Sequence, residues 1–317
     1  LRVQKTVRTV DIAGVGVRLE AEGCERSRTI HVLLGGLQEC DRAPTVAIRY
    51  VARPPRLPSS APDQASHDLR VWHGDDQLFL HHASGVRAHV TSDEAIVGGG
   101  SEHLDLGFAR VFHPAVTHLL AAHGRFVLHA AAIADRSHAV VVLGPTGAGK
   151  STLALTALHA GWRVLADDLV VVRVGDNGPE VAGIARRTAL PADSGTALPA
   201  GARPVADDHR GRWQLPSDLL ATGWFQACAV LRASHSSGPL GELVPWDSSA
   251  LLDMVLVSFT STVDVPRLRQ FLPAAAALAR LPAWVLRLGV DPLTRVSDAV
   301  RLLQRVGAAA MPAARTR

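Results

Sequence analysis

The chain has 317 residues, 47% hydrophobic and 20% charged, with a net charge of +4 when histidine is neutral. That size accommodates two domains, and that balance belongs to a globular chain rather than a disordered or fibrous one. The mild, scattered positive charge argues against nucleic acid as a partner, and no apolar run has the length of a bilayer span. Cys24, Cys40 and Cys228 show no metal-ligand spacing and are too few for a disulfide framework. No apolar signal core follows Leu1-Arg2-Val3-Gln4-Lys5, so a cytoplasmic location away from membranes is expected. The fifteen histidines include no H-E-x-x-H pairing.

Residues 1–112 read as a β-rich accessory domain. Residues 15–20 alternate, and 45–51 is a second strand. Residues 69–73 and 77–81 flank Gly74-Asp75-Asp76, a hairpin signal, and 86–90 adds another strand. Pro54, Pro55, Pro58 and Pro62 fall within nine residues, which excludes a central strand and predicts a loop or linker. No phosphate, metal or nucleophile motif lies in this half.

Residues 113–317 mix strands with helices. A helix is expected over 114–122, with Pro114 at its first position and Gly124 beyond its end. The apolar run 125–133 is interrupted at His129. After the turn Asp135-Arg136-Ser137, strand 140–143 should lie antiparallel to it. A helix over 152–159 stops at Gly161. Strand 162–166 leads to Asp167-Asp168, and strand 169–174 ends at Gly175-Asp176-Asn177-Gly178. A mixed stretch of about 30 residues, rich in Pro, Ala and Asp, follows without a clear element. Strands are expected over 211–216, 227–232 and 284–288, and helices over 248–257, 273–279 and 293–306.

The motif that organises this half is Gly144-Pro145-Thr146-Gly147-Ala148-Gly149-Lys150-Ser151-Thr152, which matches G-x-x-x-x-G-K-[ST] between a strand and a helix. Glycines let backbone N–H groups close round an anion, and a helix N-terminus favours negative charge. All nine residues are therefore expected to hold the phosphates of ATP, with Lys150 on the β- and γ-phosphates and the Ser151 hydroxyl on Mg²⁺. Only two of the 33 basic residues are lysines, Lys5 and Lys150. A chain that otherwise writes arginine keeps a compact ammonium where a planar guanidinium would not fit.

Asp168 follows Ser151 by only 17 residues, with one helix and one short strand between them. That path returns Asp167 and Asp168 to the loop, where one carboxylate could face Mg²⁺ and the other accept a proton from an incoming hydroxyl. Arg212 and Arg232, at or near expected strand ends, are candidates to spread charge over a transferring phosphoryl group, and 182–204 is a candidate lid.

The run His129…Gly144-x-x-x-x-Gly149-Lys150-Ser151…Gly161-Trp162-Arg163-Val164-Leu165-Ala166-Asp167-Asp168 resembles the catalytic core of HPr kinase/phosphorylase and its relatives. The resemblance covers about residues 126–174. It implies an α/β fold shared with phosphoenolpyruvate carboxykinases: a P-loop kinase core on a mixed sheet, here behind a β-rich N-terminal domain. It also implies Asp168 as general base, His129 and Lys150 at the reacting phosphate, and Ser151 with Asp167 and Asp168 near Mg²⁺. Where the family carries a metal-binding glutamate, this chain offers Asp193. The remainder looks more like stand-alone relatives from natural-product pathways. The expected activity is ATP-dependent phosphorylation of a small-molecule hydroxyl. The alternatives are a serine or threonine hydroxyl of a peptide, and an ATPase or nucleotide switch without acceptor. A homo-oligomer stays open.

Overall fold

A computed structural model describes residues 5–23, 37, 39–99, 105–136, 138–184, 189–190, 198–204, 213–235, 242–259, 265–288 and 301–306. The protein is a mixed α/β chain with several sheets and few helices among the described residues. It divides into two compact units, Leu1–Val127 with Thr260–Gln270 and Leu128–Phe259 with Phe271–Arg317.

The first unit is built on β1 (Lys5–Ile12), β2 (Val15–Glu22), β3 (Val46–Val51), β4 (Gln64–Ala65), β5 (Leu69–Gly74), β6 (Gln77–His82), β7 (Arg87–Val90) and β8 (Glu94–Gly98). They form one sheet in the order β1-β2-β3-β8-β7-β6-β5-β4, parallel at β2–β3 and β3–β8 and antiparallel elsewhere. Strands β1 and β8 have no counterpart in the sequence reading, because their short apolar alternation acquires meaning only against a neighbour. The expected β5–β6 hairpin is present, with Asp76 at φ +57° in its turn. Leu78, Leu80, Ala88, Val90, Ala95 and Val97 line a fully buried face, and helix α1 (Asp105–Ala122) packs on β6, β7 and β8.

Helix α1 corrects the expected start at Pro114, which lies inside the helix. A proline there removes the bond to the Arg110 carbonyl. The helix continues because Val111, Phe112, Ala115, Val116, Leu119 and Leu120 form one buried stripe on both sides of it. The helix also runs through position 112, where the sequence reading ended the first domain.

The proline-rich stretch is a strap across the other sheet face. A Cβ on Gly98 would lie 2.8 Å from Val51 O and 3.1 Å from Pro54 Cα. Further along, the Trp72 indole donates to Ser60 O at 2.9 Å, and the His73 N–H donates to Asp63 Oδ2 at 2.6 Å.

The second unit carries β9 (Phe126–His129, of which the last two residues belong here), β10 (Ala131–Asp135), β11 (His138–Leu143), β12 (Arg163–Ala166), β13 (Leu169–Gly175) and β14 (Gly178–Gly183). Short strands β15 (Ala189–Leu190), β16 (Arg203–Pro204) and β17 (Trp213–Gln214) make a small separate sheet. Strands β18 (Phe225–His235), β19 (Glu242–Pro245) and β20 (Ala283–Leu288) complete the main one, whose path is β12-β10-β11-β18-β14-β13-β9, with β20 on β18 and β19 on β20. Strands β11, β18 and β20 run parallel. Helix α2 (Lys150–His159) covers β10 and β12, sealing Ile133, Val140, Val142, Leu153, Ala154, Val164 and Leu231.

The β10–β11 hairpin has the expected antiparallel register, Ala131 opposite Val142 through Asp135 opposite His138. Strand β14 is a correction: Asn177-Gly178 turns the chain back, and Val170–Gly175 pairs with Gly178–Gly183. The Asn-Gly signal was present, but Pro179 and Glu180 masked the strand behind it. Helix α3 (Ser248–Ser258) is close to expectation, capped by Asp247, which accepts from the Ser249 and Ala250 N–H groups. Helix α4 (Val265–Ala279) again contains its expected first residue, Pro273, in its interior, and it crosses the division between the units at 270/271. Of the expected helix over 293–306, residues 301–306 are helical and the rest lie outside the described residues. Among the described residues no helix is long and apolar enough to cross a membrane.

Within the first unit, Arg267 is 4% exposed and donates to His118 Nε2 at 2.7 Å. Burial pushes the His118 pKa down to about 3; the Arg267 charge adds to this, and a hydrogen bond to the Asp76 backbone opposes it. The folded state thus keeps His118 neutral while the unfolded chain takes up a proton below the usual 6.5. The stabilisation is complete above that pH and is lost as pH falls toward 3, with a slope of at most about 1.4 kcal/mol per pH unit. Urea unfolding should show this component in the native chain and its absence in His118→Gln; equal pH slopes in both would refute it.

Candidate active site

Strand β11 is buried from Ala139 to Leu143 and delivers the chain to Gly144 at the carboxyl edge of its parallel pairing with β18. Ligands of open α/β sheets bind at such edges. Gly144, Gly147 and Gly149 have φ of +145°, +81° and +97°, values that side-chain-bearing residues rarely adopt. Gly144 is also sterically held, since a Cβ there would lie 3.0 Å from Ala148 Cβ and 3.2 Å from Ala233 O. Pro145, Thr146 and Gly147 are exposed, Ala148 is buried beneath them, and Ser151 and Thr152 are half-buried in the first turn of α2. Gly149 caps that helix without a side-chain bond, and the first turn has no acidic residue. The turn's N–H donors and the positive end of the dipole therefore suit an anion.

Lys150 is 7% exposed. Its Nζ donates to Gly144 O at 2.8 Å and Pro145 O at 3.2 Å, and lies 3.2 Å from His129 Nε2. An ammonium has only donors, so Nε2 must accept and the imidazole proton sits on Nδ1. His129 Nδ1 lies 2.9 Å from Asp168 Oδ1, so that proton is donated to the carboxylate. Asp168, His129 and Lys150 form one line from carboxylate to ammonium. Burial pushes the Lys150 pKa down, and the Asp168 charge opposes that shift.

A bend builds this line. The expected single strand over 125–133 is two, β9 and β10, broken at Ala130; on the neighbouring strand path β12 and β13 break at Asp167-Asp168. The two breaks meet where the Ala130 N–H donates to Asp168 O at 3.1 Å. The register between β10 and β12 shifts beside it, at Ala132/Ile133. Such irregularities re-aim side chains. His129 and Asp168 flank the bend and converge, 36% and 43% exposed at their side chains. Asp167 shares the bend, half-buried.

Arg232 stands opposite Leu143, the residue before the loop, rather than near its strand's end, since β18 runs on to His235. Its guanidinium lies 5.8 Å from the Trp246 ring centroid, and its Nε is shielded from solvent without a hydrogen-bond partner among the described residues. Trp246 carried no signal in the sequence, because its place follows from the pairing of β19 with β20. Arg212, Asp193 and most of the lid stretch lie outside the described residues. Among the described residues no three His, Cys, Asp or Glu side chains gather as a metal cage. The oxygen donors Ser151, Asp167 and Asp168 suit a hard cation that also keeps water and phosphate ligands.

No family model matches the chain, and no curated relative matches it. Solved structures similar to it include the Hpr(Ser) kinase/phosphatase from Coxiella burnetii, matched over 58% of this chain and 98% of that one at 13% identity, with a TM-score of 0.31. A likeness at that score carries no functional argument, so the chemistry rests on the geometry above.

The loop glycines should differ in tolerance. Gly147→Ala meets no atom within 4 Å and bears only the backbone cost, about 1–2 kcal/mol. Gly144→Ala adds the contacts with Ala148 and Ala233, so its thermal midpoint should fall further than that of Gly147→Ala.

Proposed function

We propose that this protein transfers the γ-phosphoryl group of ATP to an alcohol hydroxyl, in the first instance that of a small molecule. The observation that supports this reading is the Asp168–His129–Lys150 line beside a glycine loop at the carboxyl edge of two parallel strands. A phosphate cradle alone only binds nucleotide. A carboxylate positioned by a histidine next to the phosphate-facing lysine adds a proton acceptor where an attacking hydroxyl would arrive.

Residues 144–152 hold the phosphates, and Lys150 exchanges its loop carbonyls for phosphate oxygens. Asp168 takes the acceptor's proton as the new O–P bond forms and the bond to ADP breaks. His129 keeps the Asp168 carboxylate in place through its Nδ1 proton. Arg232 adds positive charge near the loop. Ser151, Asp167 and Asp168 offer the oxygens for Mg²⁺, which when bound neutralises phosphate charge.

Asp168→Asn should lower transfer about 10²–10⁴-fold while ATP binding, read by calorimetry, stays close to native. Lys150→Ala should weaken both. Lost nucleotide binding in Asp168→Asn would make metal anchoring, rather than proton acceptance, the main role of that residue. Labelled ATP with a panel of alcohols and serine peptides tests the acceptor: label on small alcohols is expected, label on peptides alone would favour the second reading, and phosphate release without acceptor would make the protein an ATPase. A peptide hydroxyl is kept as the second reading because Asp168 and Lys150 would act in the same way on either kind of alcohol.

A further inference from the structure

On the face of the first sheet that α1 does not cover, Arg70 of β5, His81 of β6 and Arg87 of β7 are direct cross-strand partners. Partners in antiparallel register project to one side, so three basic side chains stand in a row about 10 Å long. Like charges placed opposite each other are unfavourable. His81 is held below its ordinary pKa by burial first and then by Arg87, Arg70 and His82, with no carboxylate acting on it. The Nε of Arg87 is shielded from solvent and has no hydrogen-bond partner among the described residues. Arg70 is exposed.

The neighbouring row identifies what such a surface accepts. Phe79 and His89 stack on each other, rings 4.4 Å apart and 7° from parallel. One face of each ring is thus taken up by the other, leaving less aromatic surface on which bases could stack. The strap crosses the same face from Pro54 beside Gly98, the cross-strand partner of Arg87, to Ser60 on Trp72, so polypeptide already packs on part of it. A row of that length matches about three residues of extended chain better than one small ion.

We propose that Arg70, His81 and Arg87 form a docking row for an acidic, extended polypeptide segment, its carboxylates answering the three basic groups. This inference rests on the first unit alone and does not depend on the phosphoryl-transfer reading.

Fluorescence anisotropy of a labelled hexaglutamate peptide with the full chain at low salt tests it. Saturable binding is expected, weakened about tenfold by Arg70→Gln and by Arg87→Gln and unchanged by Arg269→Gln, an exposed arginine outside the row. Arg70 is exposed, so its variant carries the test if Arg87→Gln fails to fold. Binding unchanged in both row variants overturns the proposal. So does peptide binding that is lost in Lys150→Ala but kept in the row variants, which would place the peptide on the glycine loop. Tighter binding of labelled oligothymidylate, lost in the same row variants, overturns it in favour of nucleic acid.

Discussion

The hydrogen bond from the Ala130 N–H to Asp168 O joins two strand interruptions at one point of the sheet. Without a bend there, side chains before and after Ala130 would follow the plain alternation of a straight strand. With it, His129 and Asp168 come within 2.9 Å and reach the lysine of a loop launched from a different strand. The site is therefore a property of sheet geometry as much as of the glycine motif.

Lys150 illustrates the balance of forces at such a place. Burial disfavours its charge, and two loop carbonyls, an imidazole and a nearby carboxylate compensate. These contacts also hold the loop in shape. Any phosphate entering must offer the ammonium better acceptors than carbonyl oxygens, which anionic oxygens do. Glycines at positive φ let the backbone curve round that position, and buried β11 and α2 keep its two ends fixed.

Elsewhere, local rules were overridden by burial. Pro114 and Pro273 each look like a helix start, yet both helices run through them, because apolar residues on both sides share one buried stripe. Strand β14 hid behind a proline and a glutamate although Asn177-Gly178 announced its turn. Arg232 was legible as a basic residue on a strand, but its level with the loop depends on the offset between β18 and β11, which are far apart in the chain. The basic row of the first unit has the same origin: Arg70, His81 and Arg87 form no run in the sequence and meet only through strand register.

The amino-acid order alone was enough for the glycine loop, its lysine, the turn and strand leading into it, and the closeness of Asp168 in the chain. These are short-range features, carried by residue types whose backbone freedom or charge leaves few alternatives. Folding in three dimensions settled which partner each side chain meets: His129 between Asp168 and Lys150, Arg232 beside Trp246, and residues 260–270 with the first unit. Those outcomes depend on pairing between distant strands and on which apolar stripe covers which face. Local propensity does not encode them, because the free energy that selects them appears only when the surfaces meet.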